Sequence, residues 1–190
     1  PSNESTESTN FIIDTSTPHG DVIINENCAI KPAVGWVTVH ATEPIASGVH
    51  EWSIKIESQG ETSDGSGLML GIVPKNFNRY DSFISQGGGW CISRAGKFYG
   101  NWKRVDTNTS SGISLVFGTG DVVVFELDTE SARLTVSVGD RYVIGELSNL
   151  NTDVYPAISL HYKLQHVCFE SRRVKERNRS KQSWYDRDQS

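Results

Sequence analysis

Hydrophobic and polar side chains alternate with a period of two over most of residues 11–170. This period is that of a β-strand with one buried and one solvated face. In the clearest run, His50, Trp52, Ile54 and Ile56 alternate with Glu51, Ser53, Lys55 and Glu57. The same pattern recurs at residues 123–127, 132–138, 154–160 and 167–169. The alternation therefore predicts several half-buried strands, with Trp52 and Trp90 facing the core.

Turn-forming residues separate these runs. Clusters of Gly, Ser, Asp and Pro punctuate the chain, and Asp128–Ser131 is suited to a hairpin turn between two of the predicted strands. Within residues 11–170, no segment of about ten residues carries the apolar stripe of a helix. The sequence predicts an all-β fold, a two-sheet antiparallel β-sandwich.

Charge divides the 190-residue chain into unequal parts. The net charge is −5, yet residues 171–190 contain seven Lys or Arg and three Asp or Glu. The preceding body is therefore acidic, which disfavours nucleic-acid binding by the body itself. We expect a disordered leader at residues 1–10, a sandwich at 11–170 and a polar, basic tail or linker at 171–190. Because the first residue is Pro, we expect a piece of a longer protein.

The three cysteines, Cys28, Cys91 and Cys168, are widely spaced and lack a Cys-x-x-Cys motif. This pattern predicts buried free thiols in a reducing compartment, without a zinc site. No apolar run approaches the roughly 18 residues of a membrane helix. We therefore expect an intracellular protein, cytoplasmic or nuclear, with no membrane partner, metal or cofactor.

Catalytic motifs are missing from the sequence. It contains no phosphate-binding loop, nucleophile elbow or His-Glu-x-x-His motif. Glu126 and Asp128 could form a carboxylate pair, but Asp128 opens a predicted turn, where Asp commonly accepts backbone hydrogen bonds. We expect a protein that is not an enzyme.

Five segments, in order, resemble the motifs of SPRY domains. Glu43–Ile56 resembles the strand "pro-ile-x-ser-gly-x-his-tyr-trp-glu-val", and Leu70–Pro74 resembles "leu-gly-val-ala". The other three are Gly89–Gly100, similar to "gly-trp … gly-x-x-tyr-gly"; Gly120–Asp128, similar to "gly-asp-val-ile-gly-val-x-leu-asp"; and Val154–Leu160, similar to "leu-tyr-pro-ala-val-ser-leu". The likeness covers about residues 35–170. It departs from the family at Val138–Asp140, where the usual Asn-Gly is replaced, and at Val124, where the usual Gly is missing.

This resemblance implies a SPRY-like jelly-roll sandwich that recognises a protein or short peptide through loops at one end. It also implies the settings in which SPRY domains occur, such as ubiquitin ligases and RNA-associated proteins. We expect a monomeric adaptor domain. Fold alone does not select the partner.

Aromatic and basic residues in three polar segments are the candidate partner-binding residues, because such side chains commonly anchor interfaces. They are Arg79, Tyr80, Phe83, Asn101, Trp102, Lys103, Arg104 and Tyr162. The cations among them would favour an acidic ligand segment.

Two other functions stay open. A jelly-roll sandwich could bind carbohydrate, with Trp102 beside Asn101 stacking on a sugar. Alternatively, Arg172–Lys181 in the basic tail could contact nucleic acid weakly, which would make the chain an RNA-associated protein.

Overall fold

The computed structural model describes residues 11–16, 21–61, 67–75, 77, 89–100, 103–104, 108–109, 115–147, 150 and 153–175. Every regular element in these ranges is a β-strand. The strands are β1 (Ile23–Asn25), β2 (Cys28–Ile30), β3 (Val37–His40), β4 (Val49–Gln59), β5 (Leu68–Pro74), β6 (Trp90–Ser93), β7 (Phe98–Gly100), β8 (Lys103–Arg104), β9 (Asn108–Thr109), β10 (Val122–Asp128), β11 (Arg133–Val138), β12 (Arg141–Glu146), β13 (Val154–Leu160) and β14 (Gln165–Lys175).

These strands form two antiparallel sheets. The first has eight strands in the order β1-β2-β14-β4-β10-β11-β12-β9, and the second has six in the order β3-β13-β5-β6-β7-β8. The main core lies between the sheets, where Trp52 and Phe125 are fully buried and stack with their ring centroids 5.2 Å apart. The predicted all-β sandwich is therefore confirmed, and so are the inward positions of Trp52 and Trp90.

The predicted hairpin turn follows β10. The Asp128 carboxylate accepts hydrogen bonds from the backbone N–H groups of Glu130 (3.0 Å) and Ser131 (3.2 Å). Its partner in the hypothetical carboxylate pair, Glu126, accepts a hydrogen bond from Lys175 Nζ at 2.6 Å. Both carboxylates thus have structural partners, as the turn interpretation of Asp128 predicts.

The six-stranded sheet is buried on both faces at its centre. Strand β13 is buried along its whole length, and so is β5 as far as Val73. A second, smaller apolar cluster covers the outer face and consists of Met69, Val73, Phe77, Cys91, Tyr155 and Ala157. Phe77 is only 8% exposed and belongs to this cluster.

Close approach of β5 and β6 explains the glycine in the segment Leu70–Pro74. A Cβ atom on Gly71 would lie 2.0 Å from the carbonyl oxygen of Trp90 and 2.7 Å from Cys91 Cα. Both neighbours are backbone atoms of a paired strand, so neither moves without disturbing the sheet. This position therefore requires glycine for space.

We expect Gly71→Ala to lower the free energy of unfolding by about 3 kcal/mol, because overpacking forces the two strands apart. Denaturant unfolding measures the change. The matched control is Gly139→Ala, which meets open space at φ +61° and should cost only about 1 kcal/mol of backbone strain. Equal losses for the two variants would contradict this explanation.

Strand β14 continues beyond residue 170, where we expected the domain to end. Ser171–Lys175 pairs with Val49–Ser53 of β4, and Ser171 Oγ lies 2.7 Å from Ser53 Oγ. The Arg172 guanidinium sits 4.5 Å from the ring centroid of buried Phe11, in a cation–π arrangement. The first part of the expected tail is therefore part of the sheet.

Acidic side chains partner the cations of this strand extension. Arg172 pairs with Glu43, Arg173 with Glu51, and Lys175 with both Glu51 and Glu126. Glu51 and Glu126 are direct cross-strand neighbours, so Lys175 offsets their mutual repulsion. Burial alone would lower the pKa of Lys175, but hydrogen bonds to Glu126 and Glu51 raise it above its usual value.

The expectation of three free thiols is wrong for two of the cysteines. Cys28 on β2 and Cys168 on β14 are direct cross-strand partners, with Cα atoms 4.0 Å apart, and form a disulfide. The pairing depends on strand register, which the spacing of cysteines along the chain does not reveal. Cys91 is free and buried, and burial raises the pKa of its thiol.

Candidate partner-binding groove

An open groove of about 330 Å³ lies at one end of the sandwich. Its lining residues come from three connections between strands and from the first residue of β13, and are Ile45, Ala46, Ser47, Thr129, Glu130, Leu150, Asp153 and Val154. We call the end of the sandwich that carries residues 42–48 and 129–132 together with Leu150 and Asp153 the groove end. Loops presented by a rigid β-scaffold commonly carry recognition.

The floor of the groove is apolar and fixed by backbone pairing. Ile45 and Val154 are 2% and 1% exposed, and they form an isolated β-bridge in which Ile45 N–H donates to Val154 C=O at 2.7 Å. Leu150 adds a partly buried apolar side chain that packs against the core. Leu150 therefore supplies accessible apolar surface, and the paired Ile45 and Val154 beneath it keep the floor rigid.

One wall is held by reciprocal contacts between Thr129 and Gly48. Thr129 Oγ1 accepts from Gly48 N–H at 2.8 Å and donates to Gly48 C=O at 3.1 Å, while Thr129 N–H donates to the same carbonyl at 3.1 Å. Gly48 has φ +118°, which L side chains rarely adopt. Gly48 therefore allows the loop before β4 to form hydrogen bonds with the turn between β10 and β11.

The described rim of the groove is negatively charged. Glu130 and Asp153 are exposed, and among the described lining residues none is a cation. Ser47 is also exposed and adds a hydroxyl to the same rim. The groove thus combines an apolar floor with hydrogen-bonding and anionic groups at its edge.

Most of the sequence-predicted site residues lie outside the described part of the chain. These are Arg79, Tyr80, Phe83, Asn101 and Trp102. Lys103 and Arg104 are described only as backbone, in β8, opposite Gly100 and Tyr99. The strands that precede these two segments do end at the groove end, because Pro74 closes β5 opposite Val154 and Gly100 closes β7 opposite Trp90.

Tyr162 is separated from the groove by the length of a strand. Val154, at the start of β13, lines the groove, whereas Tyr162 follows Leu160 at the other end of β13. A strand of this length spans roughly 20 Å. Tyr162 therefore does not share a surface with the groove.

Packing explains the position of Tyr162. The buried Gln165 side chain accepts from the N–H groups of His161 (2.7 Å) and Tyr162 (2.9 Å) and donates to Gly67 C=O at 3.0 Å. A Cβ atom on Gly67 would lie 2.1 Å from the Tyr162 ring, so the ring covers this glycine. The Tyr162 ring therefore packs over Gly67 at the end of the sandwich opposite the groove.

The groove residues themselves were not among the sequence-predicted candidates. Thr129 and Glu130 belong to the predicted hairpin turn, and residues 45–47 belong to the segment Glu43–Ile56. The sequence indicated a structural role for these two segments and no binding role. No sequence signal shows that these two segments meet, because β4, β10 and β13 bring them together only in the fold.

Comparison with known proteins is consistent with this architecture. A family model of the SPRY domain matches residues 49–172. The SPRY domain of human HERC1 is similar in structure, with a TM-score of 0.65 and 16% identity, covering 84% of this chain and 97% of that chain. The TRIM65 PSpry domain has a TM-score of 0.63 and 12% identity, covering 85% of this chain and 92% of that chain.

A third solved structure, described as a human SPRY domain, has a TM-score of 0.60 and 15% identity, covering 81% of this chain and 97% of that chain. At these identities the likeness shows the fold alone. A search of curated protein sequences finds no significant match. Within the described residues, no helix is long and apolar enough to cross a membrane.

Proposed function

Because the chain belongs to the SPRY domain family, whose members are generally non-catalytic protein-interaction modules, we propose that it binds a protein or short peptide at the groove end. The observation that supports this proposal is the groove itself, which has a rigid apolar floor and a polar rim. A volume of about 330 Å³ suits one or two side chains of an extended peptide rather than a large cofactor.

In this proposal an apolar side chain of the ligand packs on Ala46 and Leu150, above the buried Ile45 and Val154. The exposed Ser47 hydroxyl is placed to hydrogen-bond with the ligand backbone, while Thr129 stays bonded to Gly48 and holds the wall in place. Arg79, Tyr80, Phe83, Asn101, Trp102, Lys103 and Arg104 supply the second part of the surface, on segments whose preceding strands end here. An acidic stretch of the ligand would then contact the cations and avoid Glu130 and Asp153.

Affinity capture of partners with the isolated domain tests this proposal. Wild type should be compared with the Tyr80→Ala/Trp102→Ala double variant and with Leu150→Asp, which places a charge in the groove. We expect both variants to lose at least tenfold in partner affinity, since aromatic anchors and apolar floors carry most interface energy. The matched control is Tyr142→Ala, a 42% exposed aromatic on β12, which should bind as wild type does.

Capture of the same partners, at the same affinity, by wild type, the double variant and Leu150→Asp would contradict the proposed site. A glycan array tests the carbohydrate alternative, because saccharide binding abolished by Trp102→Ala would replace the adaptor function. No contact in the described structure favours that alternative.

The tail-mediated RNA interaction is disfavoured by the geometry of β14. Arg172, Arg173 and Lys175, three of the cations in the proposed contact Arg172–Lys181, are paired with Glu43, Glu51 and Glu126. Cations that are already paired neutralise fewer phosphates, so fewer counterions leave the nucleic acid on binding and the affinity gained is smaller.

The intracellular location, the monomeric state and the ubiquitin-ligase or RNA-associated setting of the parent protein stay predictions.

A further inference from the structure

A cluster of three metal-ligating side chains lies on the outer face of the eight-stranded sheet, away from the groove. Cys28 and Cys168 are cross-strand neighbours on β2 and β14, and His166 is two residues before Cys168. Because side chains two apart on a strand share a face, all three point to the same side. Their ligand atoms lie within 4.8 Å of one another.

The distances suit a tetrahedral zinc ion. With Zn–S near 2.3 Å and Zn–N near 2.05 Å, tetrahedral angles place a sulfur and a nitrogen ligand about 3.6 Å apart. His166 Nε2 lies 3.5 Å from Cys168 Sγ. Thiolate and imidazole are also the ligand types that zinc prefers over carboxylate-binding ions such as magnesium.

Hydrogen bonds hold the two cysteine strands together independently of the disulfide. Phe169 N–H donates to Asn27 C=O at 2.9 Å, and Asn27 Nδ2 donates to Phe169 C=O at 2.5 Å. These contacts flank the Cys28–Cys168 pair on one side, and the pairing of Ala29 with Val167 flanks it on the other. The sulfur atoms therefore stay neighbours when the bond between them is broken.

Partial burial leaves one side of the cluster open. Cys168 is 7% exposed, whereas Cys28 and His166 are partly exposed. Three protein ligands with one open position are the arrangement in which zinc also takes a water or an outside ligand.

We propose that reduction of the Cys28–Cys168 disulfide converts this cluster into a zinc site formed by two thiolates and the His166 imidazole. Two molecules of a small thiol reductant supply the electrons: they cleave the Sγ–Sγ bond, become one disulfide, and leave two protein thiols. Zinc then displaces one proton from each thiol, so two protons are released for each ion bound. The oxidised chain has no thiolate to offer and does not form the site.

Zinc titration of the reduced chain, freed of reductant and kept without oxygen, tests the proposal. We expect one Zn²⁺ per chain, release of two protons, and no binding to the oxidised chain under the same conditions. Substituting Co²⁺ should produce thiolate-to-metal absorption. Cys28→Ser should abolish that absorption, while Cys91→Ala should keep it, because Cys91 is buried elsewhere.

His166→Ala keeps both cysteines, so its reduced form should fold as the reduced wild type does. It should weaken zinc binding at least tenfold, since a ligand is lost. The proposal is overturned if the reduced wild-type chain binds no zinc, if the oxidised chain binds it equally well, or if His166→Ala binds it with unchanged affinity.

Discussion

We expect a chain that ends at Glu170 to be less stable than a chain that ends at Lys175, by about 3 kcal/mol in the free energy of unfolding. The loss combines hydrogen bonds, ion pairs and one cation–π contact. The deletion removes the part of β14 that pairs with Val49–Ser53. It also uncovers the ring of Phe11, over which Arg172 lies, and leaves Glu51 and Glu126 side by side without Lys175.

Urea unfolding of the two chains measures this difference. A chain that ends at Lys175 should match residues 1–190 within about 0.5 kcal/mol, the usual range for changes away from structural contacts. If the chain that ends at Glu170 is as stable as the other two, Ser171–Lys175 does not belong to the folded domain.

Loss of the Cys28–Cys168 bond should lower the unfolding free energy by about 4 kcal/mol, because it frees a long loop in the unfolded chain. The two cysteines are 140 residues apart, so the bond closes most of the described chain. Denaturant unfolding should be measured with and without a thiol reductant, in the presence of a chelator so that bound metal does not stabilise the reduced form.

The Cys28→Ser/Cys168→Ser double variant is the control for that measurement. It should unfold like the reduced wild type and should not respond to the reductant. An equal unfolding midpoint for oxidised and reduced wild type would show that the disulfide does not form or does not stabilise the fold.

Sequence patterns predicted the sandwich well because each half-buried strand carries its own signal. The alternation around Trp52 requires only local information, and it gives the correct inward face of β4. The Asp128 turn is equally local, since its hydrogen bonds reach only two and three residues ahead. For β13 the sequence pattern predicted the strand but not that both of its faces are buried, because the second face is covered only by the smaller apolar cluster of the fold.

Features that depend on pairing between distant strands could not be predicted. The disulfide requires the register of β2 against β14. The end of β14 was missed because its Arg and Lys residues look like a solvated tail, and only their pairing with Glu51 and Glu126 shows that they belong to a sheet. The groove and the position of Tyr162 likewise depend on which strand ends meet.

Amide hydrogen exchange of the domain, alone and bound to a captured partner, tests the central proposal most directly. Binding at the groove end should increase protection in residues 42–48 and 129–132 and at Leu150, Asp153 and Val154. Residues 118–121 and 161–165, at the opposite end, should exchange at unchanged rates. Protection confined to the opposite end, with none at the groove, would contradict the proposal that this SPRY domain binds its partner through the groove end.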